Sequence, residues 1–159
     1  MRRVLMGLGA ALLVTLVTAP SADAQIVHMT AKLSGANEVP GVVTGAGGTA
    51  TVTVDVTRQT VSYVIDVFNM PSGLTAAHFH AGGPGVAGPV VANITITPTI
   101  SNDFTVTGSV SSITVRDAQG IRSLEDFIQA LVGEQLYINF HSAANPGGEI
   151  RGQVLRVVP

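Results

Sequence analysis

The chain has 159 residues, a formal net charge of −2 and no cysteine. The lack of cysteine excludes disulfides, thiol catalysis and cysteine-ligated zinc or iron–sulfur sites. A slightly acidic chain also offers no basic face to a phosphate backbone, so nucleic acid is not an expected partner.

The amino terminus is typical of a secretory signal peptide over residues 1–24. A pair of arginines precedes a short apolar run, and Ala22 and Ala24 supply the small residues that signal peptidase reads. The apolar run is shorter than the roughly 20 residues that a membrane-spanning helix needs. We therefore expect residues 25–159 to be exported as one domain, periplasmic or extracellular, with no membrane span. An uncleaved membrane anchor is the alternative.

Eight short segments of the mature part alternate apolar and polar side chains with period two. They are rich in Val, Ile and Thr, which favour strands, and residues 55–60 between two of them predict a hairpin turn. The spacing predicts an all-β Greek-key sandwich or barrel of about eight strands. The predicted strands are 27–33, 49–57, 61–68, 75–80, 90–97, 104–115, 135–141 and 149–157.

One segment before the penultimate predicted strand has helical periodicity instead. Ser123 is a suitable N-cap, and Glu125 and Asp126 follow in the first turn, where the positive end of the helix dipole favours carboxylates. Gly133 is a natural C′ residue. We expect a short helix that packs over the sheet through one apolar stripe, formed by Leu124, Phe127, Ile128 and Leu131.

Three of the four histidines lie in two of the predicted strands, 75–80 and 135–141. Because side chains alternate along a strand, His78 and His80 share one face of theirs. The last two predicted strands have similar polar faces, which carry Tyr137, Asn139 and His141 on one strand and Glu149, Arg151 and Gln153 on the other. The opposite faces are expected to enter the core with Phe79, Ile138, Phe140 and Ile150. If these strands are neighbours, their polar faces merge into one patch.

Three blocks of the chain resemble the CHRD (chordin-type) domain family. LSGANEVP at residues 33–40 resembles the opening of these domains, and AHFHAG at 77–82 resembles their first signature block. LYINFH at 136–141 and NPGGEIRGQ at 145–153 resemble the second signature block. The resemblance implies an immunoglobulin-like β-sandwich that occurs once in many exported bacterial proteins and is repeated in chordin. It implies no agreed catalytic residues.

A His-x-His strand with a third histidine from another strand suits a transition-metal site. His78, His80 and His141 are therefore candidate ligands for copper or zinc, and Asn139 or Glu149 would hydrogen-bond to the rings. The alternative is a structural polar network in which the same side chains hold the loops. Glu149 and its strand neighbour two residues on, Arg151, are expected to pair near the surface or to grip a ligand.

These patterns leave three functions open. The first is an exported, non-enzymatic binding or structural module whose polar face takes an unidentified protein or small ligand. The second is a copper- or zinc-binding protein, with superoxide dismutase-like chemistry as a variant. The chain lacks the further histidines and the disulfide of a complete dismutase of that kind, so enzyme activity is not expected. The third is a purely structural component of an envelope or matrix.

Overall fold

The computed structural model describes residues 24–71, 73–97 and 102–158 of the chain. The predicted signal peptide, apart from its last residue, lies outside the described residues. None of the helices in the described ranges is long and apolar enough to cross a bilayer.

In these ranges nine strands form one curled antiparallel sheet, which confirms the predicted all-β, sandwich-like fold. The strands are β1 (Ile26–Ser34), β2 (Gly47–Asp55), β3 (Thr60–Phe68), β4 (Leu74–Ala81), β5 (Val90–Asn93), β6 (Phe104–Ser109), β7 (Leu136–Ser142), β8 (Ile150–Gln153) and β9 (Leu155–Arg156). Their order across the sheet is β5-β4-β7-β8-β1-β2-β3-β6, and β9 pairs with β1. The strands β4 and β7, and likewise β8 and β1, are neighbours in the sheet but far apart in the chain, as in Greek-key topology.

Some strand boundaries differ from the predictions. The last predicted strand, 149–157, divides at Val154 into β8 and β9. The backbone N–H of Val154 donates to Leu136 O on β7 at 3.0 Å, whereas Leu155 pairs with β1. The chain therefore stops pairing with β7 after this residue and continues beside β1. β5 and β6 also end earlier than alternation predicts.

The helix α1 (Leu124–Val132) forms where the apolar stripe predicts it. Ser123 Oγ accepts a hydrogen bond from Asp126 N at 3.1 Å, and the Asp126 carboxylate accepts one from Ser123 N at 3.0 Å, which makes a capping box. The prediction of Gly133 as C′ is wrong by one position, because the helix continues one residue further. Gly133 is the C-cap with φ −79°, and Glu134 takes the left-handed conformation with φ 60°.

The core lies on the side of β4 and β7 that faces away from the histidines. The predicted core residues are each 0 % exposed, namely Phe79, Ile138, Phe140 and Ile150. All four belong to the apolar core cluster, whereas the histidines group together on the other face, as alternation predicts. The Phe79 ring packs edge-on against Phe127 of α1 at 5.6 Å and against Tyr63 of β3 at 5.9 Å. α1 and β3 therefore both pack on the apolar side of β4.

Candidate metal centre

The polar side chains of three neighbouring strands lie together on one face of the sheet. In the register of β4, β7 and β8, His78 lies opposite Asn139, and Asn139 lies opposite Arg151. Tyr137 lies opposite His80 in the same way. The sheet thus brings together the residues that alternation predicts for one patch. We call this set the polar face: His78, His80, Tyr137, Asn139, His141, Glu149, Arg151 and Gln153.

Loops cover the polar face, so most of it is buried. Every residue of β7 is buried, on both sides of the strand. The loop of residues 82–89 lies over Tyr137 and Arg151. Gly88 N donates to Tyr137 Oη at 3.0 Å, and Arg151 Nη2 donates to Gly83 O at 2.9 Å. The polar face is therefore the floor of a recess and not an open surface.

Glu149 and Arg151 do not form the surface pair that their spacing predicts. Each is 2 % exposed. The Glu149 carboxylate accepts hydrogen bonds from Ser142 Oγ at 2.8 Å and Asn145 Nδ2 at 2.6 Å, because the turn after β7 places these donors beside it. Burial raises the pKa of Glu149, but hydrogen bonds from Thr44, Asn145 and Ser142 outweigh it and lower the pKa overall. Glu149 is therefore an ionised carboxylate held by the turn, and not the ring partner that the sequence predicts.

The three histidines of the polar face converge. One ring nitrogen from each of His78, His80 and His141 lies within 4.8 Å of the others. His78 Nδ1 and His141 Nε2 are 3.1 Å apart. In the described part of the chain, this is the one group of three or more His, Cys, Asp or Glu side chains with metal-binding spacing. The fourth histidine, His28, is exposed on β1 and lies outside the group.

Backbone carbonyls hold two of the rings. His80 Nδ1 lies 2.9 Å from Gly88 O, and His141 Nδ1 lies 3.0 Å from Pro146 O. A carbonyl oxygen only accepts hydrogen bonds, so each Nδ1 carries the proton and each Nε2 presents its lone pair to the cluster. Two loops therefore fix the tautomers through main-chain groups, a role that alternation along strands cannot predict.

Burial keeps the imidazoles neutral at pH 7. It lowers the pKa of His80 to about 4; the hydrogen bond to Gly88 O opposes this effect, and positive charge nearby, including that of Arg151, adds to it. Burial also lowers the pKa of His78, with a further contribution from His141. The pKa of His141 is lowered by burial against the opposing hydrogen bond to its loop carbonyl. Neutral imidazole is the form that binds a metal ion.

Tyr137 connects His80 to Arg151. The rings of His80 and Tyr137 stack with their centroids 4.9 Å apart and their planes at 16°. The guanidinium carbon of Arg151 lies 3.4 Å from the centroid of the same tyrosine ring. Because β4 and β8 flank β7 on opposite sides, Tyr137 lies between the imidazole and the guanidinium. The stack restricts rotation of His80 and brings a permanent positive charge near the histidine cluster.

A comparison with known protein families supports the resemblance that the sequence blocks of the recess indicate. The family model of the CHRD domain matches residues 29–154, which include the whole polar face. The chain belongs to the CHRD domain family. No curated protein and no solved structure matches it. Membership confirms the resemblance seen in the sequence and leaves the chemistry of the recess to be argued from its geometry.

Glu38 is a residue of the CHRD recess that the sequence pattern missed. It follows the 3₁₀ turn Gly35–Asn37 after β1 and is 8 % exposed. Asn139 Nδ2 donates to Glu38 Oε2 at 3.4 Å, so Asn139 is not the histidine partner that the sequence predicts. Burial raises the pKa of Glu38 to about 7, although Arg151 and the hydrogen bond from Asn139 act to lower it. Alternation gives no information beyond the end of a strand, and only the LSGANEVP block points to this residue.

The carboxyl of Glu38 packs against the backbone of Gly148. A Cβ atom on Gly148 would lie 2.6 Å from both carboxyl oxygens and 2.7 Å from Asn139 Nδ2. Its φ of 143° is also one that side-chain-bearing residues rarely adopt. Glycine at this position of the NPGGEIRGQ block therefore lets the loop close over the CHRD recess.

Four buried side-chain atoms of the described residues lack a hydrogen-bond partner, and all four lie in the recess. They are Glu38 Oε1, His80 Nε2, Asn139 Oδ1 and Gln153 Oε1. Buried polar atoms in native proteins are nearly always paired, so an unpaired one indicates a functional group, a water or an ion. The CHRD recess thus contains several buried acceptor atoms that receive no hydrogen bond from the described residues.

Proposed function

We propose that this CHRD domain is an exported binding module whose polar face holds one copper or zinc ion, with His78, His80 and His141 as ligands. The observation that carries the proposal is the convergence of three imidazoles, of which His80 has a buried Nε2 without a partner among the described residues. Imidazole nitrogen is a preferred ligand of both metals. A purely structural network gives no reason to leave that nitrogen unpaired.

The spacing of the ring nitrogens suits a single ion. Two nitrogens that bind zinc at about 2.0–2.1 Å with a tetrahedral angle lie about 3.3 Å apart. His78 Nδ1 and His141 Nε2 are 3.1 Å apart, close to that value. The nitrogen of His80 lies within 4.8 Å of both, and a movement of the rings toward one another would complete a three-nitrogen site. Three protein ligands leave a fourth position open.

Metal binding would require the proton at the short contact between His78 and His141 to move. His141 carries its proton on Nδ1, which faces Pro146 O, so its Nε2 accepts the hydrogen bond from His78 Nδ1. A metal ion would take both nitrogens as ligands, and the proton of His78 Nδ1 would move to Nε2 of the same ring, because a neutral imidazole keeps one proton. Since the three imidazoles are neutral both before and after binding at pH 7, no net release of protons from them is expected.

A metal inventory of protein expressed without a histidine tag tests the proposal. We expect stoichiometric copper or zinc in the wild type and its loss in His78→Ala and His80→Ala. His28→Ala is the matched control, because His28 is exposed on β1 and lies outside the cluster. Copper(II) added to the metal-free protein should give an electron paramagnetic resonance spectrum with nitrogen coordination that disappears in the triple alanine variant. Wild-type protein that neither contains nor takes up either metal would overturn the proposal.

A structural role for the polar face is the second candidate. It is favoured by the hydrogen bonds from His80 and His141 to the Gly88 and Pro146 carbonyls, which tie two loops to the sheet. This role fits a component of an envelope or matrix and predicts protein without metal. The superoxide dismutase-like variant needs a redox-active ion, so it follows only if the bound metal is copper.

Export of the domain is part of the proposal. It is supported by the basic, then apolar, then small-residue order of residues 1–24, and by the family, whose members are typically extracellular or exported. Export would also bring the recess into contact with the metal ions of the periplasm or the medium. An unidentified protein or small ligand that meets the open coordination position would then be the partner of the module.

A further inference from the structure

Arg151 is a buried cation that forms no ion pair with any carboxylate of the described residues. Its Nη2 donates to Gly83 O at 2.9 Å, and its guanidinium lies on the Tyr137 ring. Buried charges in proteins are normally paired, and a guanidinium does not lose its proton at any ordinary pH. The recess therefore contains a permanent positive charge that no neighbouring carboxylate neutralises by direct contact.

This charge acts on the histidine cluster through a short path. Only the Tyr137 ring separates the guanidinium from His80. The rings of His80 and Tyr137 stack with their centroids 4.9 Å apart, and the guanidinium carbon of Arg151 lies 3.4 Å from the centroid of the tyrosine ring. A positive charge this close to the His80 ring disfavours a second cation bound there, and the repulsion grows in proportion to the charge of that cation.

The ligands themselves supply no compensating negative charge. The cluster consists of three imidazoles, each of them neutral when it binds a metal. The Glu149 carboxylate is ionised, but it accepts its hydrogen bonds from Ser142 and Asn145 and from none of the three rings. Burial raises the pKa of the Glu38 carboxyl to about 7, so it is only partly ionised at neutral pH. A divalent ion would therefore add two positive charges to a buried site that already contains the Arg151 guanidinium. A monovalent ion would add only one.

Resting on the proposed metal centre, we propose that this centre is selective for copper(I), and that Arg151, acting across Tyr137, disfavours copper(II) and zinc. Of the two metals that suit the ligands, zinc has no monovalent state in proteins, whereas copper does. Three imidazoles also satisfy the low coordination number of copper(I) without a water or an anionic ligand. In this arrangement Arg151 does not touch the ion and sets its charge preference from a distance.

The test compares the affinities of the wild type and of Arg151 variants for copper(I), copper(II) and zinc. Copper(I) is measured without oxygen against bicinchoninate, and the divalent ions are measured against a chromophoric chelator. Arg151→Gln removes the charge and keeps a donor for Gly83 O, so we expect the copper(II)-to-copper(I) affinity ratio to rise about tenfold, or about 1.4 kcal/mol. Arg151→Lys keeps the charge and should stay within about threefold of the wild type. Arg156→Gln is the control, because it removes an exposed arginine on β9.

The outcomes separate this inference from the proposed function. If copper binds and the ratio in Arg151→Gln stays within about twofold of the wild type, the role of Arg151 is overturned while the metal centre stands. A wild-type protein that prefers zinc or copper(II) to copper(I) also overturns the inference alone. Failure to bind any of the three ions removes the metal centre and the inference together. Should Arg151→Gln not fold, Arg151→Met removes the same charge and keeps the apolar stem of the side chain.

Discussion

Replacing Glu38 with glutamine is expected to change how the stability of the fold depends on pH. Burial raises the pKa of Glu38 from 4.5 to about 7 in the folded protein, and the unfolded chain has the ordinary value. The folded state therefore binds more protons than the unfolded state between these two values. The contribution of Glu38 to stability is full below pH 4.5 and is lost as the pH rises through about 7.

The size of the effect follows from the same interval. From 4.5 to about 7 is about 2.5 pKa units, or about 3.4 kcal/mol at 1.36 kcal/mol per unit. Glu38 lines one cavity of about 440 Å³ and another of about 240 Å³, so solvent screens part of its charge. We therefore expect on the order of 2 kcal/mol. Glutamine keeps an acceptor for Asn139 and cannot ionise, so Glu38→Gln should gain this amount over the wild type between about pH 4 and pH 8.

Urea denaturation of the metal-free proteins across this pH range measures the difference. The histidines give the opposite trend, because burial lowers the pKa of His80 to about 4. Their contribution to stability is full above about pH 6.5 and is lost as the pH falls through the folded-state value. Both proteins share that trend, so subtracting one profile from the other isolates Glu38. Parallel profiles for the two proteins would refute a raised pKa for this carboxyl.

Three further predictions concern the core, the loop and the amino terminus. Phe140→Ala should lower the free energy of unfolding by about 3–5 kcal/mol in urea, since Phe140 is 0 % exposed; a loss below about 1 kcal/mol would contradict the assigned strand register. Gly148→Ala should cost about 1–3 kcal/mol, because its Cβ would meet the Glu38 carboxyl at 2.6 Å in a strained backbone conformation. Gly147→Ala is its control, with no atom within 4 Å of the added Cβ, and equal losses in the two variants would speak against the contact. The intact mass of exported protein should correspond to a chain that starts at Gln25, and retention of the preceding residues would contradict the cleavage prediction.

The strands and their faces could be predicted from the sequence because period-two alternation is a local signal. It places Phe79 between two histidines on the opposite face, and the structure has Phe79 in the core and both histidines in the recess. The same rule puts Phe140 in the core and the neighbouring His141 with the other imidazoles. The pairing of β4 with β7 is a long-range fact that alternation alone does not contain, although two strands with matching polar faces favour it.

The partners of the polar side chains could not be predicted, because loops supply most of them. The Nδ1 atoms of His80 and His141 face the backbone carbonyls of Gly88 and Pro146. Every residue type has such a carbonyl, so the sequence does not indicate which one will bind a histidine. Glu38 lies 101 residues from Asn139 in the chain and beyond the end of its strand, so neither spacing nor periodicity connects them. The face on which a side chain lies can thus be predicted from alternation along its strand, whereas its hydrogen bonds to a loop depend on where the fold places that loop.

The unpaired nitrogen of His80 bears on whether the recess is a metal centre or a structural network. A buried polar atom without a partner costs about 1–3 kcal/mol, a large fraction of the about 5–15 kcal/mol that stabilises a domain. A ligand that binds only the folded state adds about 4.1 kcal/mol at a thousandfold excess over its Kd. If the recess is a metal centre, copper should stabilise the wild type by an amount of this order and leave His80→Ala unchanged. If the histidines only hold loops, His80→Ala should lose the same stability whether or not copper is present. The unpaired nitrogen of His80 favours the first result, because a network evolved only for stability would have given that atom a donor.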